Sequence, residues 1–266
     1  MSAVGSGYDL SAATYSRDGR VYQIEYAEKA VETSSTALGA ECGDGSVVIL
    51  VEKVLPSSLM ADSSTPRLSV ISPQAGIVSS GYLPDVRSVS NTARREAVEY
   101  RNNFGYPIPL RMLHSRVAAR FHYYTLYSYL RPFGVASLLA GYQEETKRAA
   151  LFRIDVSGSS AQQRAAVLGK GATAAATELE RLDLTAGTAE ERLRDLVRIA
   201  LRVRDESASS SGKRTIIEAG WVCPASGWRF ERVPADLLAT VEAEAQAIVD
   251  AEDDSGDDSD DEDLDD

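Results

Sequence analysis

The sequence has few residues of the types that bind metals or activate nucleophiles, with two cysteines and two histidines among 266 residues. Cys42 and Cys223 lie far apart and lack metal-ligand spacing, so we expect reduced thiols and neither a disulfide framework nor a zinc site. His114 and His122 fall on one predicted helix, eight residues and therefore about 80° apart around its axis. No catalytic partner recommends either one. The sequence thus predicts packing or surface histidines, no metal and no cofactor.

Long apolar runs and an excess of basic residues are also absent. No run of eighteen apolar residues occurs, and the N-terminus lacks the basic region and apolar stretch of a secretory signal, so we expect a soluble, intracellular protein. The formal net charge is −12, but residues 252–266 hold eleven acidic residues and no basic one, which leaves −1 on the body. A nucleic-acid-binding surface would need a basic excess. The composition therefore argues against nucleic-acid and membrane partners.

Hydrophobic periodicity divides the body into separate runs of strands and helices. Strands are predicted at residues 36–40, 46–52, 68–71, 75–80, 135–141, 149–155 and 215–222. Helices are predicted from Asp85, from Leu110, at residues 172–181 and 189–204, and after Pro234. Segregated runs favour an α+β layered domain over an alternating parallel fold. Two sheets stacked face to face, with a helical pair on each outer side, would bury all the apolar stripes.

The N-terminal segment joins a turn to an amphipathic helix. Asp18 and Gly19 form a turn signal, and Asp18 is a candidate N-cap for the helix that follows. The apolar positions Ile24, Ala27 and Val31 recur at helical spacing, and polar residues occupy the other face. Composition alone fits any surface helix near an N-terminus.

The order of residues in this segment resembles the N-terminal signature of proteasome alpha subunits. That signature is a Tyr-Asp pair, then Ser-Pro-Asp-Gly-Arg, then aromatic-Gln-aliphatic-Glu-Tyr-Ala, and residues 8–9, 16–20 and 22–27 match most of it. Two positions depart from it. Leu10 stands where many members have arginine, and Arg17 replaces the turn proline, which should make the turn less rigid. The rigidity of a gate formed here is therefore in question.

Further stretches extend the resemblance over nearly the whole body. Residues 80–87, 124–127 and 131–135 resemble the family's Ser-Gly, Tyr-Thr and Arg-Pro-aromatic-Gly motifs, and residues 105–110 with the acidic tail resemble the subtype at the seventh position of the eukaryotic alpha ring. The resemblance implies a four-layer α-β-β-α sandwich of the N-terminal-nucleophile hydrolase type. It divides the chain into a gate segment (1–19), one sandwich domain (20–251) and a disordered acidic tail (252–266).

The resemblance also implies the partners and the gate residues. It places the chain in a heteroheptameric ring of alpha subunits, with beta-ring subunits below, regulatory particles above, and a location in cytoplasm and nucleus. Such a ring member contributes to ring assembly and to substrate entry in ubiquitin-dependent degradation. Tyr8, Asp9 and Tyr26 are the expected gate residues, because two hydroxyls and a carboxylate can form a closed hydrogen-bonded cluster.

A second expected site is the family's pocket between neighbouring alpha subunits, where regulators insert C-terminal tails that end in a carboxylate. After a one-residue shift, the pocket lysine of the family falls on Arg67, with Gly81 on the opposite segment. Arginine can pair with a carboxylate, although its planar fork is not equivalent to an ammonium group. The resemblance therefore implies a regulator-docking pocket at Arg67 and Gly81 that is altered or unused in this chain.

Catalysis of the N-terminal-nucleophile type is not expected. Such a hydrolase uses the α-amino group of its first residue as the base, so the nucleophile must be the chain terminus. The matching residue, Thr36, follows more than thirty residues of signature sequence. The alternative is a threonine hydrolase activated by removal of the residues before Thr36.

A glycine turn at Gly169-Lys170-Gly171 before a predicted helix lacks the spacing of a phosphate loop and favours a plain strand-to-helix connection.

The acidic tail leaves a third possibility open, an acidic-tailed protein that chaperones basic partners. A block of like charge cannot bury enough surface to fold, so we expect residues 252–266 to be disordered. Ser255 and Ser259 each have an acidic residue three positions later, which suits phosphorylation by an acidophilic kinase. A protein of this third kind would not belong to a large multi-subunit particle.

Overall fold

The β-branched and apolar runs pair into two sheets. The computed structural model describes residues 7–55, 57–204 and 214–257. One sheet has the order β10-β9-β2-β1-β8 and the other β3-β4-β5-β6-β7, with antiparallel neighbours throughout. The first sheet consists of β1 (Ala37–Glu41), β2 (Val47–Leu55), β8 (Ala165–Leu168), β9 (Arg214–Val222) and β10 (Phe230–Arg232). The second consists of β3 (Leu68–Ser72), β4 (Ala75–Gly81), β5 (Val135–Gln143), β6 (Arg148–Ile154) and β7 (Ser160–Gln163).

The helices follow the predicted amphipathic stripes. They are α1 (Tyr22–Glu32), α2 (Leu83–Phe104), α3 (Leu110–Tyr123), α4 (Ala172–Glu180), α5 (Ala189–Arg202) and α6 (Ala235–Asp257). None of the helices within the described ranges is both long enough and apolar enough to cross a membrane. Helix α6 begins directly after Pro234, as predicted, because proline is tolerated at a helix start.

Strand β2 shows how the two faces of a buried sheet divide the core. Successive side chains point to opposite faces. Val47, Ile49 and Val51 lie in the cluster between the two sheets, whereas Val48 and Leu50 lie in the cluster beneath α4, α5 and α6. A third cluster joins the outer face of the second sheet to α2 and α3. These contacts confirm the four-layer α+β sandwich.

The structure differs from the sequence prediction in its layers and its smallest strands. A third helix, α6, joins the predicted pair on the first sheet, where Val241, Ala245 and Val249 are buried in the same cluster as α5. Strands β7, β8 and β10 were not predicted. Each has three or four residues, and β7 reads Ser-Ala-Gln-Gln, without the apolar alternation that marks a strand.

The cap predicted for α1 is wrong. Val21 is the N-cap residue and makes no side-chain cap bond. The Ser16 hydroxyl instead accepts hydrogen bonds from the amides of Asp18 (3.3 Å) and Arg20 (3.1 Å), so the polar side chain that organises this segment stabilises the turn and not the helix start. The helix therefore begins later than the Asp18 cap would place it.

The last helix extends into the acidic segment. Helix α6 continues to Asp257, so residues 252–257 are helical and Ser255 lies on its last turns. Glu252 pairs with Arg202 of α5, which ties this end of α6 to the domain. Ser259 and the rest of the acidic tail lie outside the described residues, and their disorder stays a prediction.

Candidate functional site

The turn predicted before α1 forms without the family's proline. The Ser16 amide donates to the Arg20 carbonyl (2.8 Å), and the Gly19 amide donates to the Ser16 carbonyl (3.0 Å). Gly19 has a φ of 75°, a left-handed conformation that favours glycine. Arg17 lies at the second position of this turn, where proline would only have pre-set φ. Asp18 and Gly19 are therefore sufficient to close the turn without a proline.

The structure brings two of the three predicted gate residues together. Burial raises the pKa of Tyr26, and the charge of the nearby Asp9 carboxylate raises it further. The Gln23 side-chain amide donates to the Asp9 carbonyl, so a hydrogen bond holds residue 9 against α1. Tyr8 is half-buried, and the described part of the chain shows no hydrogen bond to its hydroxyl. Whether these residues act as a gate stays a prediction.

Sequence reasoning missed the residues that brace this contact. Gln23 is one of the polar residues opposite the apolar stripe of α1, and it supplies the hydrogen bond to Asp9. Arg20 donates two hydrogen bonds to the Glu25 carboxylate, of 2.7 and 2.5 Å, and its guanidinium lies 5.1 Å from the centre of the Tyr22 ring. Arg20 and Glu25 both belong to the signature, but their spacing of five residues is not a standard helical pair.

The structure also brings the two predicted pocket residues into contact. The Arg67 guanidinium donates to the Gly81 carbonyl (3.0 Å), which also accepts a hydrogen bond from the Ser34 hydroxyl (3.0 Å). Burial lowers the pKa of Arg67, and the charge of Glu218 partly opposes this. Gly81 has a φ of 129°, and a Cβ at this position would lie 2.0 Å from the Gly134 carbonyl oxygen. The site therefore contains a half-buried cation whose position depends on a glycine.

Thr36 is held as an internal residue. Its hydroxyl donates to the Lys170 carbonyl (2.7 Å), and the Lys170 amide donates to the Ser34 carbonyl (2.9 Å). On the other side, the Ser80 hydroxyl donates to the Ser35 carbonyl (2.6 Å). Residues 34–36 are thus fixed between β4 and the turn after β8. In this arrangement the nitrogen of Thr36 is a backbone amide and not the free amine that an N-terminal nucleophile uses as its base.

The histidine and the two cysteines considered as catalytic or metal-binding candidates are packed in the core or against it. His114 packs edge-on against Phe152 with the ring centres 4.1 Å apart, and burial lowers its pKa. Cys42 and Cys223 are buried free thiols, and burial raises the pKa of Cys42 to about 12, which disfavours a thiolate. The described ranges contain no group of three or more histidine, cysteine or acidic residues that could hold a metal ion.

The glycine turn before α4 is a close-packed connection. Gly169 and Gly171 have φ values of 89° and 73° and join the end of β8 to the start of α4. A Cβ at residue 169 would lie 2.1 Å from the Ser35 carbonyl oxygen. The glycines therefore permit the approach of residues 34–36, as expected for a strand-to-helix connection.

Comparison with known proteins agrees with this geometry. A family model of proteasome subunits matches residues 31–219, and a model of the N-terminal signature of A-type proteasome subunits matches residues 8–30. The chain is 39% identical over 253 residues to the alpha type-3 proteasome subunit of rice (Oryza sativa subsp. japonica). The matched stretch covers 95% of this chain and 99% of the relative. It is 38% identical to alpha type-3 of Dictyostelium discoideum (94% and 99%) and 36% identical to the probable alpha type-7 of Schizosaccharomyces pombe (95% and 97%).

These matches confirm the family and the subtype that the sequence motifs predict. The signature match covers the turn, Asp9 and nearly all of α1, and the longer match covers both sheets up to β9. The relatives are matched over almost their full length. The chain therefore belongs to the proteasome subunit family, as an alpha-type member of the proteasome core.

Proposed function

We propose that this chain is a non-catalytic subunit of the alpha ring that gates substrate entry and docks regulators. An alpha-type subunit has a structural role in a ring of subunits, and alpha-type subunits are generally non-catalytic. The observation that carries the proposal is the attachment of Asp9 to α1, where Gln23 donates to its carbonyl and its carboxylate lies near the Tyr26 side chain. It gives the segment before the helix a defined position, which a gate requires.

The proposed gate works by fixing the direction in which the first residues leave the domain. Asp9 contributes both its carbonyl and its carboxylate to α1, while the Ser16–Arg20 turn fixes the entry to the helix. Neighbouring alpha subunits in a heteroheptameric ring would bring equivalent segments together above the beta rings. Ordered segments would then close the pore, and loss of their attachment would open it.

Substitution of Asp9 in a reconstituted core particle tests the gate. Asp9→Ala removes the carboxylate that faces Tyr26, so basal hydrolysis of a short fluorogenic peptide should rise by a factor of about 2–10, since one polar contact contributes about 0.5–1.5 kcal/mol net. Glu145→Ala is the matched control, because Glu145 is an exposed acidic residue in the turn between β5 and β6 and belongs to neither the gate segment nor α1. Native mass spectrometry establishes that both particles are complete. Unchanged hydrolysis in a complete Asp9→Ala particle would remove the gating role.

The proposed docking pocket lies at Arg67 and Gly81. Arg67 presents a guanidinium with Nη1 bound to Gly81, and arginine has five N–H donors, enough to bind a carboxylate bidentately as well. A regulator whose C-terminal tail ends in a free carboxylate is the partner that this chemistry fits. The departure from the family's lysine therefore changes the geometry of pairing and keeps its charge.

Two further parts of the proposal concern location and modification. We place the chain in cytoplasm and nucleus, in ubiquitin-dependent protein degradation. Ser255 and Ser259 are proposed phosphorylation sites, supported by the acidic residues that follow each of them. Phosphate would add about −1.5 to −2 charge at each site. Intact mass of the chain from its native particle, before and after phosphatase treatment, tests this directly.

A further inference from the structure

Behind the proposed pocket lies a buried ion pair that joins two strands of the first sheet. Lys53 of β2 and Glu218 of β9 are 2.8 Å apart, with 2% and 8% of their side chains exposed. Glu218 lies opposite Val51 in the strand register, so Lys53, two residues further on, shares its face. That face points between the sheets, towards the start of β3. Burial of both charges there is costly, because each group loses its hydration.

Glu218 holds the backbone of Arg67. Its Oε2 accepts hydrogen bonds from the amides of Arg67 (2.9 Å) and Leu68 (3.1 Å), while its Oε1 faces the Lys53 ammonium. Lys53 also donates to the Asp62 carbonyl (2.5 Å), in the loop that leads to Arg67. One carboxylate therefore fixes the point where the pocket strand begins.

The charges around Glu218 are unequal. Lys53 is its close partner, and the half-exposed Arg232 lies 3.8 Å from the same oxygen while donating to the Leu68 carbonyl (2.8 Å). Arg67 is a third cation beside this single anion, yet within the described residues its guanidinium hydrogen bonds to the Gly81 carbonyl and to no carboxylate. Opposite charges attract strongly in a buried site. A Glu218 carboxylate without other cationic partners would therefore draw the Arg67 guanidinium inwards.

We propose that Lys53 and Glu218 are positioning residues of the docking pocket: Glu218 fixes the Arg67 backbone, and Lys53, with Arg232, neutralises Glu218 so that the Arg67 guanidinium stays available to a carboxylate from outside. This inference rests on the proposed docking function. It assigns a role to a buried ion pair whose presence stability alone does not explain, since the cost of desolvating two charges can exceed the gain from their attraction.

The test measures the preference of the reconstituted core particle for a carboxylate. The probes are a fluorescein-labelled octapeptide with a free C-terminal carboxylate and the same peptide with a C-terminal amide, compared by fluorescence anisotropy. The Arg67→Gln particle gives the contribution of the other subunits. We expect the wild-type preference for the carboxylate to exceed that of Arg67→Gln by a factor of about 5–10, which corresponds to about 1–1.4 kcal/mol.

The positioning pair is then removed in steps. Lys53→Met should lower the preference, and Lys53→Met with Arg232→Gln should reduce it to the Arg67→Gln value, because Glu218 then has only Arg67 as a partner. Adding Glu218→Gln to this double variant should restore at least half of the wild-type preference. A purely structural role predicts the opposite, since each further substitution would damage the pocket more. Lys53→Arg keeps the cation and should match wild type.

The outcomes separate the two proposals. If Arg67→Gln leaves the preference unchanged, the docking function fails and this inference falls with it. If Arg67→Gln lowers the preference but the Lys53→Met, Arg232→Gln variant does not, or Glu218→Gln brings no recovery, only the positioning role is overturned. Should that variant fail to assemble, Glu218→Gln alone decides: a preference of at least half the wild-type value supports the role, and a lower one overturns it.

Discussion

The Arg131 guanidinium binds the Asp85 carboxylate through two parallel hydrogen bonds, of 2.6 Å to Oδ2 and 2.8 Å to Oδ1. The carboxylate is buried and also accepts the Gly134 amide (3.0 Å), whereas 60% of the Arg131 side chain is exposed. Asp85 lies in the first turn of α2, where a negative charge is favoured by the helix dipole. The pair therefore fixes the start of α2 against the loop that leads into β5.

Asp85→Asn should lower the free energy of unfolding by about 1–3 kcal/mol, the range for a hydrogen bond to a charged group. Solvent screening of the exposed arginine places the result in the lower half of this range. Urea unfolding of the purified chain measures it. Glu99→Gln is the control, because the exposed Arg95–Glu99 pair (3.9 Å) should contribute less than about 0.5 kcal/mol. Equal effects of the two substitutions would contradict the role of the Asp85 pair.

Gly81→Ala should destabilise the chain by more than about 4 kcal/mol, a size typical of severe backbone clashes. The added Cβ would meet the Gly134 carbonyl oxygen at 2.0 Å and the Val135 Cα at 2.8 Å, and neither can move without disturbing β5. Urea unfolding again gives the measurement. Gly105→Ala is the matched control, because Gly105 has a φ of 80° with no atom near its missing Cβ. It should lose only about 1–2 kcal/mol from the left-handed backbone.

Most of the architecture could be predicted because its signals are local. The hairpin of β1 and β2, the amphipathic stripes of α2 and α5, and the proline before α6 each depend on neighbouring residues. Thr188 and Glu191 also form a capping box at the start of α5, a four-residue pattern that is readable from the sequence. The short strands β7, β8 and β10 form because they pair with strands that are distant in sequence, so their own residues do not predict a strand.

The candidate sites divide in the same way. Asp9, Tyr26, Arg67 and Gly81 could be named in advance because a family pattern contains them. The structure places the Asp9 carboxylate near Tyr26 and joins Arg67 to Gly81 by a hydrogen bond. Glu218 could not, since it lies 151 residues from Arg67 along the chain. A glutamate in an otherwise apolar late strand was the available signal. This glutamate indicates a buried charge, but the sequence does not show which residues pair with it.

Acid should destabilise the fold through His114. Burial is the main cause that lowers the pKa of this side chain, and the charge of Arg111 adds to it. The unfolded chain therefore binds the proton more readily, so stability is fully present above the unfolded pKa of about 6.5 and is lost as pH falls towards the folded value. Unfolding free energies between pH 7.5 and 5 should show this loss in wild type. His114→Gln should flatten this part of the curve.

The control for this prediction is the other histidine of the same helix. His122 is exposed, and its substitution by glutamine should leave the His114 contribution in place. The comparison removes the general effect of carboxylate protonation, which all three chains share. A curve of the same slope for wild type and His114→Gln between pH 7.5 and 5 would show that His114 is not the group responsible.

Thr36 should contribute to stability and not to peptide hydrolysis. Its hydroxyl is buried against the Lys170 carbonyl, so Thr36→Val removes that donor and should lower the free energy of unfolding by about 1–3 kcal/mol. Thr36→Ser keeps the hydroxyl and should lose less than about 1 kcal/mol, which makes it the matched control. In reconstituted core particles of equal composition, both variants should hydrolyse a fluorogenic peptide at the wild-type rate.

The rival hypothesis makes the opposite prediction for the same residue. A hydrolase activated by removal of the residues before Thr36 would carry Thr36 at its N-terminus and would lose activity completely with valine there. Intact mass spectrometry of the mature chain from its native particle distinguishes the two, since retention of residues 8–30 is incompatible with a free Thr36 amine. The bonds that hold residues 34–36 from both sides favour retention, because cleavage before Thr36 would release the Ser34 and Ser35 carbonyls from Lys170 and Ser80.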